Sequence, residues 1–445
     1  MRSAILFGLL LGGTANAADL MQIYRDAQSQ DAVFSSARAA HLAGQEKEIQ
    51  GRSGLLPSVS LSANTTYNDQ DTQYRSSTTT LQGGTRRYNS NGYTVSLAQP
   101  LYRKQNFAQY QQGRLQTQQA EAIFQAAKQD LILRVAGAYF DVLLAQDNVE
   151  LATAQKAAIG EQLAQAKRNF EVGTATITDT HEAQARYDLV SAQEIVAQND
   201  LEIKKRALQQ IVGAMPDALA PLGKHFSLSL PDPDNIDDWV GRAEQASPQV
   251  QIQQANFELA SEEIARNRGN EYPTLDAVAS YGKSSVGAST FGAGSDTTSK
   301  SVGLQLNIPL FQGGNLSSKV REAVANEEKA RQDLEAARRK AALDARQAYL
   351  GVTSGNAQVN ALGQALVSSQ SSLDSTKLGQ EVGVRTGVDV LNAQQQLYSA
   401  KRDLSQARYT YIINLLKLEA AVGQLDETDL ARVNTWLGND GTPQN

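Results

Sequence analysis

The 445-residue chain repeats itself, and that repeat limits its possible folds more than any other feature. Tyr139-Phe140 recurs as Tyr349-Leu350, and Glu171-Val172-Gly173 as Glu381-Val382-Gly383. Asp179 recurs as Asp389, Ala183-Gln184 as Ala393-Gln394, and Val212-Gly213 as Val422-Gly423, always 210 residues on. Upstream the spacing drifts, with Pro100 matching Pro309 at 209 and Pro57 matching Pro273 at 216, as loops of unequal length produce. Two similar units are therefore joined in tandem. They span residues 18–213 and 238–423, with a linker at 214–237 and a tail at 424–445.

Each unit follows one plan. A helix over about 19–52, or 238–268, runs into Pro57 or Pro273. Val59, Leu61, Ala63, Thr65 and Tyr67 then alternate with Ser58, Ser60, Ser62 and Asn64, the period of a strand. A polar loop follows (Asp69–Ser90; Ser284–Ser299), and a second alternating strand leads to Pro100 or Pro309. Proline at these four strand–helix junctions fits abrupt transitions. From Arg103 to Asn169, and from Gly314 to Leu378, there is no proline, so some 65 residues predict roughly 100 Å of continuous helix. Gly173 and Gly383 turn the chain, and a second helix returns to Gly213 or Gly423. Leu131, Val135, Ala138, Val142 and Ala145 recur at spacings of three and four, so the helices must pack against partners. A helix this long with a thin apolar stripe is not stable alone.

The first residues read as an export signal. Arg2 precedes an apolar run from Ala4 to Leu11 and the small-residue stretch Ala15-Asn16-Ala17, so residues 1–17 are expected to be removed. No later stretch has 18 uncharged apolar residues, so no transmembrane helix is expected. The sequence has no cysteine, which excludes disulfides, thiolate chemistry and a lipid-acceptor thiol. Any hold on a membrane must then come from the strands. Four strands cannot close a barrel, and an open sheet edge in lipid leaves backbone groups unsatisfied at several kcal/mol each. Two chains would supply about eight strands around a filled interior, and three about 12 around an open lumen. Small and polar residues on the inner strand faces favour three. The competing reading is a soluble periplasmic coiled-coil protein carrying two surface hairpins.

The run Val382-Gly383-Val384-Arg385-Thr386-Gly387-Val388-Asp389-Val390-Leu391, followed by Leu397-Tyr398-Ser399-Ala400-Lys401, resembles the TolC family of outer-membrane efflux proteins. So do Gln99-Pro100-Leu101-Tyr102, Ile308-Pro309-Leu310-Phe311-Gln312-Gly313-Gly314 and Ala18-Asp19-Leu20-Met21-Gln22-Ile23-Tyr24. The resemblance covers about 18–430, and the missing cysteine sets the chain apart from the family's lipoprotein branch. It implies a mainly α, internally duplicated homotrimer in a Gram-negative outer membrane, with a 12-stranded β-barrel continued by a periplasmic helical cylinder. The expected function is the outer-membrane channel of a tripartite efflux or type I secretion system. The tips at Val172-Gly173 and Val382-Gly383 would dock a periplasmic adaptor (membrane fusion) protein and an inner-membrane transporter of RND, ABC or MFS type. Asp389 would form an aperture ring; a second family aspartate, one turn further in, is replaced here by Asn392. Arg385 would hold the tip closed through Thr178 and Asp179, and an assisting family tyrosine is Gln380 here.

Catalytic patterns are not found. His41, His181 and His225 lie in no metal-binding spacing, and there is no G-x-S-x-G or phosphate loop. No cofactor or metal is expected, and a net charge of −6 argues against nucleic acid. Outer-membrane lipid is the expected surrounding. The cargo, drugs or secreted proteins, depends on the inner-membrane partner.

Overall fold

The computed structural model describes residues 17–73, 75, 84–223, 225–288 and 293–438. The expected signal lies outside these residues except for Ala17. The elements are α1 (Leu20–Gln30), α2 (Ala32–Ser53), β1 (Ser58–Thr72), β2 (Gly84–Tyr102), α3 (Lys104–Glu171) and α4 (Ile177–Val212) in the first half. The second half holds α5 (Ile236–Ala246), α6 (Pro248–Gly269), β3 (Thr274–Val286), β4 (Ser295–Asn307), α7 (Asn315–Glu381) and α8 (Gly387–Ala421), followed by α9 (Glu427–Asn434). Chain packing divides these into two compact units. One takes in the described residues up to Ala39, Ile123–Gln251 and those from Ala336 on; the other is Ala40–Ala122 with Ile252–Glu335.

The second of these units holds the sheet. Four antiparallel strands lie in the order β1-β2-β3-β4, so the hairpins of the two repeats join through β2 and β3. Its register runs from Ser58 opposite Ala98 to Thr72 opposite Gly84, and from Thr274 opposite Asn307 to Val286 opposite Ser295. The apolar side chains of the edge strands face outward, with Leu61 70% and Val302 89% exposed. In one chain the sheet therefore has two edges and an uncovered apolar face, the condition that a barrel wall in lipid relieves.

Three expectations need correction. The strands run well into the predicted loops, since polar residues alternating beyond the apolar stretch continue the ladder to Thr72 and Val286. Pro100 does not end β2 but sits inside it, where the register with β3 shifts between Pro100 and Tyr102. A proline has no N–H for the ladder, and a bulge is where a central strand accommodates one. Pro57 and Pro273 each directly precede a strand, and Pro309 lies two residues past β4. The single helices predicted at 19–52 and 238–268 are each two, broken at Asp31 and at Ser247. Asp31 caps α2 by accepting the Phe34 N–H at 3.0 Å and is held by Arg134 at 2.7 Å. Ser247 is extended because Pro248 follows it, and a residue before proline avoids the helical region.

Where the sheet passes into helix, Arg103 donates twice to the buried carboxylate of Asp276, at 2.8 and 2.6 Å. This forked ion pair fixes the start of α3 against β3. Nearby, α2 and α3 touch backbone to backbone. A Cβ at Gly113 would lie 2.5 Å from the Lys47 carbonyl, and one at Gly51 would lie 2.9 Å from that of Gln109.

In the other unit the apolar stripe of α3 is the core, with Leu131, Val135 and Val142 fully buried. The linker is laced onto the helices by tyrosines. Tyr139 donates to the Ala220 carbonyl at 2.7 Å, and its repeat mate Tyr349 donates to Asp234 at 2.6 Å. Tyr411 accepts the Ser229 N–H and donates to the Ser229 carbonyl, while Phe226 is wedged edge-on against both Tyr411 and Trp436. Hydroxyl bonds of this kind let a chain segment without regular structure be buried.

Candidate functional site

The hairpin tips are built alike because the two repeats spell them alike. α3 ends where Gly173 takes φ of 78°, and α7 where Gly383 takes 80°, a left-handed conformation that residues with a Cβ avoid. Around each glycine the orphan carbonyls of the helix end are satisfied. Gly173 and Thr174 donate to Phe170 and Asn169 at 3.0 and 2.8 Å; Gly383 and Val384 donate to Gln380 and Gly379 at 3.1 and 2.9 Å. The returning helix then starts with a reciprocal cap. The Thr176 N–H donates to Asp179 at 2.9 Å while the Asp179 N–H donates to the Thr176 hydroxyl at 3.3 Å. Thr386 and Asp389 repeat the pair at 2.9 and 3.2 Å. Val172, Val382 and Val384 project from these turns into solvent.

The Thr-x-x-Asp pattern at 176–179 and 386–389 was readable in the sequence as a helix start, and it gives both aspartates a local task. The same bonds govern the charge of Asp389. Its carboxyl is held below the usual carboxylate range, first by the Thr386 backbone N–H, then by the Thr386 hydroxyl, with burial opposing and the Arg385 charge adding. The cap therefore favours the ionised form of Asp389.

The structure brings some expected residues together and leaves others apart. The Arg385 stem lies across the last turn of α7, where a Cβ on Gly379 would come within 2.7 Å of its Cγ. Gln380 lies beside Gly387 of the same hairpin. Among the described residues of this one chain, neither side chain bonds to Thr178 or Asp179. Asn392 instead accepts a hydrogen bond from Arg186 of α4 at 3.1 Å, and Arg186 also donates to Gln395 at 2.7 Å. Nothing in the sequence spacing pointed to Arg186, because its partners lie across the repeat boundary.

Below the tips, each hairpin closes on small apolar contacts. Ile159, Leu163, Ala183 and Val190 pack α3 against α4, and Leu391 of α8 joins that cluster. Leu373, Val390, Ala393 and Leu397 close α7 on α8. Lys156 bonds Glu194 at 2.8 Å, which holds the Glu194 carboxyl below its ordinary range. No group of side chains that could hold a metal occurs among the described residues, and no described helix is long and apolar enough to cross a membrane.

Sequence comparison places this geometry. The model of the outer membrane efflux protein family matches residues 23–214 and again 239–424, one match for each repeat. The chain belongs to that family. It is 35% identical to the outer membrane protein TolC of Vibrio cholerae, over 95% of this chain and 94% of that protein. It is 36% identical to the alkaline protease secretion protein AprF of Pseudomonas aeruginosa, over 98% of this chain and 92% of the relative. The crystal structure of the CmeC outer membrane channel of Campylobacter jejuni shares the fold at 16% identity, with a TM-score of 0.78 over 98% of this chain and 96% of that one. This outer membrane efflux protein is thus a channel of the efflux and type I secretion kind, seated in the outer membrane with a large periplasmic part. It conducts and does not catalyse.

Proposed function

We propose that three copies close their strands into one 12-stranded barrel and that the hairpin tips form its periplasmic gate. The observation that carries the gate is the matched pair of capped tips, in which the cap favours the ionised form of Asp389 beside Arg385. In a threefold assembly Asp389 becomes a ring of three carboxylates, which attracts cations and repels anions in a narrow mouth. Asn392, one turn further in, adds no charge, so the ring is weaker than two aspartates would make it. Asp179 uses only one carboxylate oxygen for its cap among the described residues, leaving the other open to Arg385 when copies assemble. Thr178 is the second partner of Arg385 in this reading, and Gln380 stands where the family's assisting tyrosine would be.

The exposed valines at 172, 382 and 384 form the surface on which a periplasmic adaptor and an inner-membrane transporter dock. Likeness to a protein named for alkaline protease secretion, within a family named for efflux, supports a secreted protein as one cargo class beside drugs as the other.

Single-channel recording in planar bilayers tests the gate. Arg385→Ser and Asp179→Ala are expected to raise resting conductance, and Asp389→Ala to abolish block by divalent cations. Wild-type conductance in both of the first two variants contradicts the reading.

A further inference from the structure

The two repeats treat the same glutamine differently. In the first, Gln184 accepts from Lys167 of α3 at 3.3 Å and donates to Asp188 at 2.9 Å, so a polar chain ties α4 to its own hairpin partner. In the second, the equivalent Gln394 is 3% exposed and its carbonyl oxygen has no hydrogen-bond partner among the described residues. The polar bond that anchors α4 to α3 at this level is thus not made by the matching glutamine of α8.

What α8 has instead is a hold on α4. Leu391 enters the apolar cluster of the first hairpin. On either side of the same turn, Asn392 and Gln395 accept the two terminal nitrogens of Arg186, at 3.1 and 2.7 Å. Residues three apart lie on one helix face, and the planar fork of a guanidinium spans two such acceptors where an ammonium could not. Both acceptors are neutral amides, so the link gains no ion-pair attraction and stays intermediate in strength.

We propose that Arg186, with Asn392 and Gln395, is the clasp that joins the returning helix of the first hairpin to that of the second, and that it sets how readily the tip opens. This rests on the reading of the tip as the gate. Separating the hairpins breaks both amide bonds and withdraws Leu391. The clasp is therefore a positioning device whose strength depends on the residue at 392: an aspartate there would turn an amide contact into an ion pair.

The test is planar-bilayer recording of the purified channel, with Arg385→Ser as the reference for an opened gate. Arg186→Met keeps the apolar stem and removes the fork; it is expected to shift the closed-to-open ratio toward open by roughly tenfold, the worth of one to two net hydrogen bonds. Asn392→Asp is expected to shift it toward closed in the wild-type background and to lose that effect in the Arg186→Met background. A fold-only role for Arg186 would not produce this dependence of one substitution on the other. If Arg186→Met yields no channels, the Gln395→Ala, Asn392→Ala pair removes the acceptors and must open the tip to the same extent. Wild-type conductance in Arg186→Met while Arg385→Ser opens overturns the clasp alone. Unchanged conductance in both overturns the gate and the clasp together. An Asn392→Asp effect of equal size in both backgrounds assigns it to charge in the mouth and overturns the clasp.

Discussion

Asp179 and Asp389 occupy equivalent places in the two repeats and make the same capping bonds, yet only Asp389 follows an arginine in the tip turn. Single residues of this kind break a symmetry that the backbone keeps. Because the cap and Arg385 favour the ionised carboxylate, the folded value of Asp389 is depressed, so its charge persists above that value and disappears only as pH falls through it. In the proposed ring the mutual repulsion of three carboxylates opposes this depression, and divalent-cation block should be lost as pH falls through the carboxylate range. A titration of block against pH checks this, and block that does not weaken on acidification through that range would count against a carboxylate ring. Tyr139 offers a second residue-scale prediction. Its hydroxyl satisfies the buried Ala220 carbonyl, and burial pushes the phenol well above its usual pKa. Tyr139→Phe should cost about 1–3 kcal/mol through that stranded carbonyl. Tyr349→Phe should cost less, since Asp234 remains exposed to water. Thermal unfolding of the two variants compares them. The sequence marked Tyr139 and Tyr349 as a repeated pair, but not what they hold, because both partners lie in a linker whose path no periodicity reveals.

At the level of elements, the helix ends were legible and the strand ends were not. A glycine three residues before a Thr-x-x-Asp cap specifies a tight helical hairpin by local chemistry alone, so the tips fall within a few residues of where the sequence puts them. The outer strand ends are set by pairing across the sheet. Asn68, Asp69 and Gln70 look like loop residues, yet opposite Tyr88, Arg87 and Arg86 they continue the ladder, with Arg87 bonding Asp69 at 3.1 Å. Long-range pairing overrides local propensity there. The break at Asp31 has a related cause, since a buried carboxylate bound by Arg134 is a tertiary fact, whereas the break at Ser247 is legible from Pro248 beside it. The tip itself gives the prediction at this scale. Gly383→Ala places a Cβ on a left-handed residue and should destabilise the second hairpin by about 1–2 kcal/mol. Hydrogen exchange at the N-terminal turn of α8 should rise in that variant and remain unchanged at α4. Faster exchange at α4 alone would contradict the local account.

For the molecule as a whole, one chain is visibly incomplete. Its sheet has four strands, two edges and outward apolar residues, and no described helix can take over the membrane contact. The duplication explains how a short unit reaches that state: each repeat supplies one strand hairpin and one helical hairpin, and β2–β3 pairing joins the two. Chain number is the step between the structure of one copy and a conducting barrel, and the polar inner faces favour 12 strands over eight. Native mass spectrometry of the protein extracted from outer membranes counts the copies directly. Particles holding three chains are what the channel requires; a monomer, or a dimer closing only eight strands, would contradict it.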